Sequence, residues 1–519
     1  MTAEGSPTGI EAAAEPPAWA RHLAPDVEPS TVDLLAEVSL PRAWAARWRE
    51  EPDRPVLRDV NGSWLHAGDL DDRTARFAGR LQAAGLVPGD RVLLAGPTSV
   101  AYVVAHVALL RTGLVVVPVN PACARRELAG IVADAAPAAA LLADEELRAW
   151  ATELAPTALV ADLDLAGWPI GEADDADDAG RDLDAAASGD LALLPYTSGT
   201  TGAPKGVPLS HGNLLASASA LQLAWRWTPD DRLVLCLPLF HMHGMGVGLH
   251  GTLLAGASAV LHDGFDAEQV LADAAGGATM FFGVPTMYGR LVDAPGVERL
   301  AGLRLCVAGS AALSAELHDR IRAASGQVVL ERYGMTETVM LLSNPYDGER
   351  RPGTVGFPLP GVDVRVAEPS GEIEVRGPNV FAGYLDRPDA NATAFTDDGW
   401  FRTGDIGARD ADGYLRIVGR AKELIISGGY NVYPREVEDV LRGHPAIVDV
   451  AVVGTPSEEW GEIVTAYVEA TDALDVAQLL AWIADEVTHY KRPRIVHRLD
   501  ALPRNSLGKV VRHELRPPD

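Results

Sequence analysis

The run YTSGTTGAPKG, Tyr196 to Gly206, gathers groups suited to holding an anion. Gly199, Gly202 and Gly206 let backbone amides approach closely, Thr197, Ser198, Thr200 and Thr201 add hydroxyl donors, and Lys205 adds a positive charge. An apolar run, LALLP, precedes it and a helical pattern opens near His211, so the spacing predicts a phosphate cradle between a strand and a helix. A Walker A loop is excluded, because that pattern needs Gly-Lys-Ser/Thr and Lys205 lies between Pro204 and Gly206. Four further segments carry groups that a nucleotide and its reaction would need. GSAAL, Gly309 to Leu313, ends an apolar run with small residues against which a flat ring can lie. YGMTET, Tyr333 to Thr338, supplies an aromatic plane, a hydroxyl at Thr336 and a carboxylate at Glu337. WFRTGDIG places Asp405 in what reads as a tight turn, where a carboxylate can accept two ribose hydroxyls, and LPRNSLGK puts Lys509 on a glycine-bearing loop.

From about Asp69 to Arg512 these segments together resemble the adenylate-forming family of acyl-CoA synthetases, luciferases and peptide-synthetase adenylation domains. The resemblance implies that Thr197, Ser198, Gly199, Thr200, Thr201, Gly202 and Lys205 hold the β- and γ-phosphates of ATP. It places Gly309, Ser310 and Ala311 beside adenine, with Tyr333 stacked on the ring and Gly334 and Met335 next to it. Thr336 then contacts the α-phosphate, Glu337 binds Mg²⁺, and Asp405 and Arg420 hold the nucleotide. Lys509 stabilises the crowded negative charge as a carboxylate attacks the α-phosphorus, Lys422 is the pivot of a domain rotation, and Ser427, Gly428 and Gly429 border a pantetheine channel. The implied activity is that of an ATP-dependent acid:CoA ligase with Mg²⁺ as cofactor and ATP, CoA and a small carboxylic acid as substrates.

For the acid, LPLFHMHG, FFGVPTMYGRL, VAGSAAL, ERYGMTETVM and SNPYDGE are similar to malonyl-CoA synthetases, which activate malonate and methylmalonate. That likeness implies that Arg290 pairs with the distal carboxylate, helped by Ser310 and a histidine of the motif containing His241 and His243, with Met340 near the acid. A bidentate guanidinium rejects monocarboxylic acids, because the charge it leaves unpaired costs about 3 kcal/mol or more. Leu341 and Leu342 depart from the polar residues of those enzymes, so a branched malonate, or a short- to medium-chain fatty acid, stays open, as does loading of a carrier protein. A peptide-synthetase module is disfavoured by Lys422, where such modules carry aspartate, and by the lack of a carrier domain after Lys509. A nucleotide-binding regulator without catalysis is disfavoured by the presence of both Glu337 and Lys509.

The elements around these residues define an α/β fold. From Asp90 to Tyr333, Val/Leu/Ala-rich runs such as RVLLAG, LVVVPVN, RLVLCLP, TMFFGV and LRLCVAG alternate with helical patterns, as in sheets crossed by helices on both faces. Ser314 is the expected N-cap of the helix SAELHDRIRAASG. After Pro352, short alternating runs predict a small antiparallel β subdomain, and from Arg420 a helix, two strands and a helix predict a small mobile α+β domain. The expected division is a disordered tail over 1–30, an acid- and ATP-binding domain over 31–419 and a mobile domain over 420–519, hinged at Gly419 to Glu423. The acidic stretch 172–190 reads as a solvated connector.

A net charge of -28 disfavours nucleic acid and anionic membranes as partners. No apolar run approaches the ~20 residues of a membrane span. Three scattered cysteines and an N-terminus without a leader pattern point to a cytoplasmic enzyme, monomeric or homodimeric, with Cys123, Cys236 and Cys306 buried.

Overall fold

A computed structural model describes residues 16–35, 38–164, 182–197, 204–427, 430–457, 459–505 and 508–517. Two large sheets share one hydrophobic core. The first runs Phe357–Pro358, Leu342–Ser343, Leu330–Tyr333, Leu305–Ala308, Met280–Gly283, Arg232–Leu235, Ser258–Leu261, Pro55–Asp59, Leu65–His66. Its central neighbours pair in parallel, and its strands from Met280 and Leu305 are buried along their whole length, which is why they read as unbroken apolar runs. The second sheet is built around Arg91–Ala95, flanked in parallel by Val115–Pro118 and Ala139–Leu142. Helices Val100–Arg111 and His211–Ala224 are apolar nearly all round, and the core joins their Leu109 and Leu215 to Leu94 of one sheet and Leu233 and Phe282 of the other.

Register decides what reaches the site. Ala308 pairs with Gly283 on one side and with Glu331 on the other. The residues that follow, Val284, Gly309 and Arg332, therefore emerge side by side at the carboxyl ends of parallel strands, where open α/β sheets bind ligands. Ser314 caps helix Ala315–Ser325, accepting from the Leu317 amide at 3.1 Å.

The antiparallel subdomain comprises Asp363–Val366, Glu372–Arg376, Phe401–Arg409 and Leu415–Arg420, as the alternating runs predict. The chain then turns through Ala421–Glu423 into a separate sheet, in which Ile425–Ser427, Tyr430–Val432, Ile447–Ser457, Gly461–Ala470 and Ile495–Leu499 pack under helices Pro434–Arg442 and Val476–Glu486.

Some expectations need correction. Residues 1–15 of the expected tail lie outside the described residues, but Ala18–His22 and Pro29–Thr31 are helical turns, and the buried His22 ring donates to the Phe357 carbonyl at 3.2 Å. The acidic stretch is not wholly solvated either. Asp184 is buried and paired with the buried Arg111 at 3.1 Å, because an arginine inside an apolar helix needs an anion brought to it. Asp405 sits inside a strand rather than in a tight turn. No helix among the described residues is long and apolar enough to cross a membrane, and all three cysteines are buried.

Candidate active site

The described ends of the glycine-rich motif lie between a strand and a helix. Leu191–Leu193 leads to a two-stranded hairpin pairing Tyr196 with Gly206 and Thr197 with Lys205, and helix His211–Ala224 follows. Ser198, Gly199, Thr200, Thr201 and Gly202 lie outside the described residues. Lys205 directs its ammonium over the Tyr384 ring at 4.6 Å. The Tyr384 hydroxyl in turn donates to Glu337 at 2.8 Å, which links the hairpin to the YGMTET segment.

That segment continues from strand Leu330–Tyr333. The Tyr333 hydroxyl donates to Asp405 at 2.5 Å, and the other oxygen of Asp405 faces Arg420 at 3.0 Å across paired strands. Gly334 is obligatory: a Cβ there would lie 2.3 Å from the Val339 carbonyl. Met335 and Thr336 are half-buried beside it. Val339 holds a left-handed backbone, φ 57°, unusual for a β-branched residue, and Asn379 braces the loop by donating to the carbonyls of Thr338 and Met340. Glu337 is buried; burial raises its pKa, while its own backbone N–H and the Tyr384 hydroxyl act the other way.

Ser310 and His243 lie within electrostatic reach of two cations, Arg332 and Lys509. Strand Leu305–Ala308 ends in Gly309 and in Ser310, itself left-handed at φ 67°, followed by the exposed Ala311. The Ser310 hydroxyl lies 3.2 Å from His243 Nδ1. His243 opens a π-helix, His243–Leu249, a form frequent at functional sites. Burial pushes His241 down to about 4 and His243 well below its ordinary value, so both rings are neutral at pH 7.

Lys509 reaches the same place from the other end of the chain. Its loop is a turn closed by Asn505, and Gly508 packs near Thr286 at the start of helix Pro285–Val292. Lys509 is exposed as a residue, yet its surroundings desolvate the ammonium enough to lower its pKa. Arg420 and Arg332 act in the same direction, opposed by Asp405 and Glu423.

Two residues that bear on this site escaped the sequence reading. Tyr384 ties Lys205 to Glu337. Arg332 is 6% exposed, and its Nε and Nη2 have no hydrogen-bond partner. Burial lowers its pKa to about 9, and its guanidinium fills the space beside Gly309, within 2.4–2.7 Å of where a Cβ would stand. Gly309→Ala is therefore expected to destabilise the protein by about 1–3 kcal/mol, because either the buried arginine or the strand must move. Urea melts of the two proteins check this; equal midpoints would show that the guanidinium yields freely.

Other expected residues stand apart from this cluster. Arg290 is exposed, its guanidinium 4.8 Å over the Phe265 ring, and it makes no hydrogen bond to Ser310 or His243. Met340, Leu341 and Leu342 are fully buried in the core. Lys422 is exposed in the turn between two sheets. Ser427 is buried in a hairpin strand of the C-terminal sheet, and Gly428 and Gly429 lie outside the described residues.

The strand pair that flanks the glycine-rich motif, the Tyr333–Asp405–Arg420 set and a lysine from the far end of the chain fit the class of nucleotide-dependent acid-activating enzymes. Comparison with known proteins gives the family. The profile of the AMP-binding enzyme family matches residues 44–385 and that of the AMP-binding enzyme C-terminal domain matches 436–509, so the chain belongs to this family. A feruloyl-CoA synthase of Amycolatopsis sp is 38% identical over 487 residues, 91% of this chain and 97% of that protein. ATP-bound MatB from Rhodopseudomonas palustris superposes with a TM-score of 0.86 at 39% identity, covering 91% of this chain and 97% of the other. A malonyl-CoA ligase with methylmalonyl-CoA and AMP bound superposes with a TM-score of 0.63 at 42% identity, covering 87% and 97%. The chain is an AMP-forming acid–CoA ligase that works through an acyl-adenylate, with ATP and CoA as co-substrates.

Proposed function

We propose that the acid is malonate or methylmalonate, converted to the corresponding CoA thioester with release of AMP and pyrophosphate. The observation that carries this reading is the charge of the acid end of the cleft. Lys509 and Arg332 both act electrostatically on His243, which lies against Ser310, and among the described residues neither cation has a carboxylate within ion-pair distance, in a chain of net charge -28. One carboxylate of the substrate answers Lys509; a second anionic group would answer the remaining charge. The 42% identity to a malonyl-CoA ligase supports the same choice.

In this reading the reacting carboxylate is already ionised, so the first step needs no general base. It needs position and charge neutralisation. Asp405 and Arg420 hold the ribose side, Tyr333 the adenine, Thr336 the α-phosphate, and Lys205 with the hydroxyls and amides of its loop the β- and γ-phosphates. Glu337 suits Mg²⁺: it is a buried carboxylate whose side-chain partner among the described residues is a tyrosine hydroxyl. Such an ion supplies positive charge to the triphosphate.

For the second step, Lys422 lies where one sheet ends and the next begins, as a pivot requires. The chain superposes better on the ATP-bound relative than on the CoA-product complex, although the latter is more similar in sequence. This supports a rotation about Lys422 that withdraws Lys509 and brings Ser427 to Gly429 to the cleft for CoA.

The test is pyrophosphate release with malonate, methylmalonate, acetate, butyrate, octanoate and ferulate, with and without CoA. Malonate and methylmalonate are expected to exceed the monocarboxylic acids in kcat/KM by about 100-fold, since a site built for a polar group rejects analogues lacking it. Preference for butyrate, octanoate or ferulate would overturn the dicarboxylate reading.

A further inference from the structure

We propose that Tyr384 is a spacer in the triphosphate site, holding Lys205 and Glu337 apart so that the cation stays free for phosphate and the carboxylate for Mg²⁺; this rests on the roles given to those two residues above.

One side chain meets two opposite charges. The Lys205 ammonium lies 4.6 Å over the face of the Tyr384 ring, and the Tyr384 hydroxyl donates to Glu337 Oε1 at 2.8 Å. Lys205 and Glu337 nevertheless form no ion pair with each other, nor with any other charged side chain among the described residues. Attraction between charges strengthens as water is withdrawn, and Glu337 is buried. Without an obstacle the flexible lysine would close on the carboxylate, and each would be lost to its own task. A ring face attracts an ammonium, and a hydroxyl donates to a carboxylate, but neither contact neutralises the charge it holds. The tyrosine therefore keeps both groups in place and both charges intact.

The ring is itself fixed from two sides. Asn391 accepts from the Tyr384 amide at 2.7 Å and donates to its carbonyl at 2.9 Å. The buried Phe381 meets the Tyr384 ring edge-to-face, centroids 4.9 Å apart, while its amide donates to the Glu337 carbonyl at 2.9 Å. On the lysine side, the Leu385 amide donates to the carbonyl of Gly206, the residue after Lys205, at 3.0 Å. Arg387 pairs with Asp134 at 2.6 Å, and the other oxygen of Asp134 accepts from the hydroxyl of Tyr196, which pairs with Gly206 in the hairpin, at 2.9 Å. Residues 381–387 are thus tied to the loop that carries Glu337 and to the strands that carry Lys205, with Tyr384 between the two.

The experiment measures ATP affinity by isothermal titration calorimetry, with Mg²⁺ and with EDTA, and the KM of the acid in pyrophosphate exchange. Tyr384→Phe keeps the ring and should hold metal-free ATP affinity within about threefold of the wild type, while the Mg²⁺ concentration for half-maximal enhancement of ATP binding rises about fivefold. Tyr384→Leu removes the spacer and should weaken metal-free ATP binding by about 30-fold as Lys205 pairs with Glu337, with the acid KM within about twofold of the wild type. Combining Tyr384→Leu with Glu337→Gln removes the competing carboxylate, so metal-free affinity should return to within about threefold of the wild type. A purely structural role for the tyrosine would show no such recovery. Tyr384→Met serves in place of the Leu variant if that protein does not fold. Wild-type metal-free affinity in Tyr384→Leu, an equal loss in Tyr384→Phe, or a loss that Glu337→Gln leaves in place would overturn the spacer while leaving the role of Lys205 intact. Lys205→Ala should weaken metal-free ATP binding by about 30-fold. Undiminished binding by that variant would overturn the phosphate role of Lys205 and the spacer with it.

Discussion

Lys509→Ala is expected to slow acyl-adenylate formation by roughly 10²- to 10³-fold while leaving thioester formation from supplied acyl-adenylate within about threefold of the wild type. The first half of this expectation comes from the geometry. Lys509 is close enough to His241, His243, Arg332 and Asp405 to interact with them electrostatically, in the proposed function the attacking carboxylate and the α-phosphate meet beside it, and nothing among the described residues neutralises its charge by ion pairing. A point charge aimed at developing negative charge in a partly desolvated cleft acts chiefly in the transition state. The second half comes from the proposed rotation, which takes the lysine out of the cleft before CoA enters. Pyrophosphate exchange reads the first half-reaction, and CoA consumption with purified adenylate reads the second. Equal loss in both would mean that Lys509 shapes the cleft throughout the cycle and that the rotation does not separate the steps.

The parallel strands were legible because burial on both faces leaves a simple trace: MFFG and LCVA are apolar at every position or nearly so. The same rule contained a signal that was not used. Strand LERY lies between two other strands of that sheet, yet carries Glu331 and Arg332, and both are buried. Charges in such a strand must have specific work. Glu331 accepts from the amides of Leu313 and Gly353, whereas Arg332 has no such partner. What Arg332 faces depends on the register of Ala308 with Glu331, a tertiary fact with no local trace. Arg111, the single charge in the apolar helix VAYVVAHVALLR, gave a similar hint that an acidic partner, Asp184, had to be buried with it.

Motif likeness singled out Lys205, Tyr333, Glu337, Asp405 and Arg420 along the chain, and the fold links Lys205 to Glu337 through Tyr384 and Tyr333 to Arg420 through Asp405. It served less well for Arg290. A position on a short helix says which residue matches, but the direction of a long, flexible side chain is settled by its neighbours, here Phe265. The π-helix at His243 was equally hidden, since its extra residue per turn leaves no periodic signature over seven residues.

The protein is also expected to unfold cooperatively between about pH 6 and pH 5, with a melting temperature that falls steeply below pH 6.5. Burial pushes the rings of His22, His211 and His241 down to about 4 and that of His106 to about 3, and holds His243 and His250 well below their ordinary value. In the unfolded chain each titrates near 6.5. Above that pH both states are neutral and the groups add no pH dependence. Between 6.5 and the depressed values only the unfolded chain takes up protons, so stability falls as pH falls, and the loss levels off once the folded rings also protonate. At pH 5 each ring contributes roughly 2 kcal/mol to that loss, partly offset by the buried Glu331, whose pKa is raised to about 7, so the net loss is a large share of the 5–15 kcal/mol stability of a typical domain. The strongest case is the His106–His250 pair. Their Nε2 atoms are 2.9 Å apart in the core, so one donates and the other must keep its lone pair, and a second proton would set two N–H groups against each other. His106→Gln keeps a hydrogen-bonding side chain that does not titrate and should move the acid midpoint to lower pH. Near-UV circular dichroism and melting temperatures from pH 7.5 to 4.5 measure both effects. A melting temperature unchanged from pH 7.5 to 5.5 would show that these rings are solvated or paired in ways that let them accept protons within the fold.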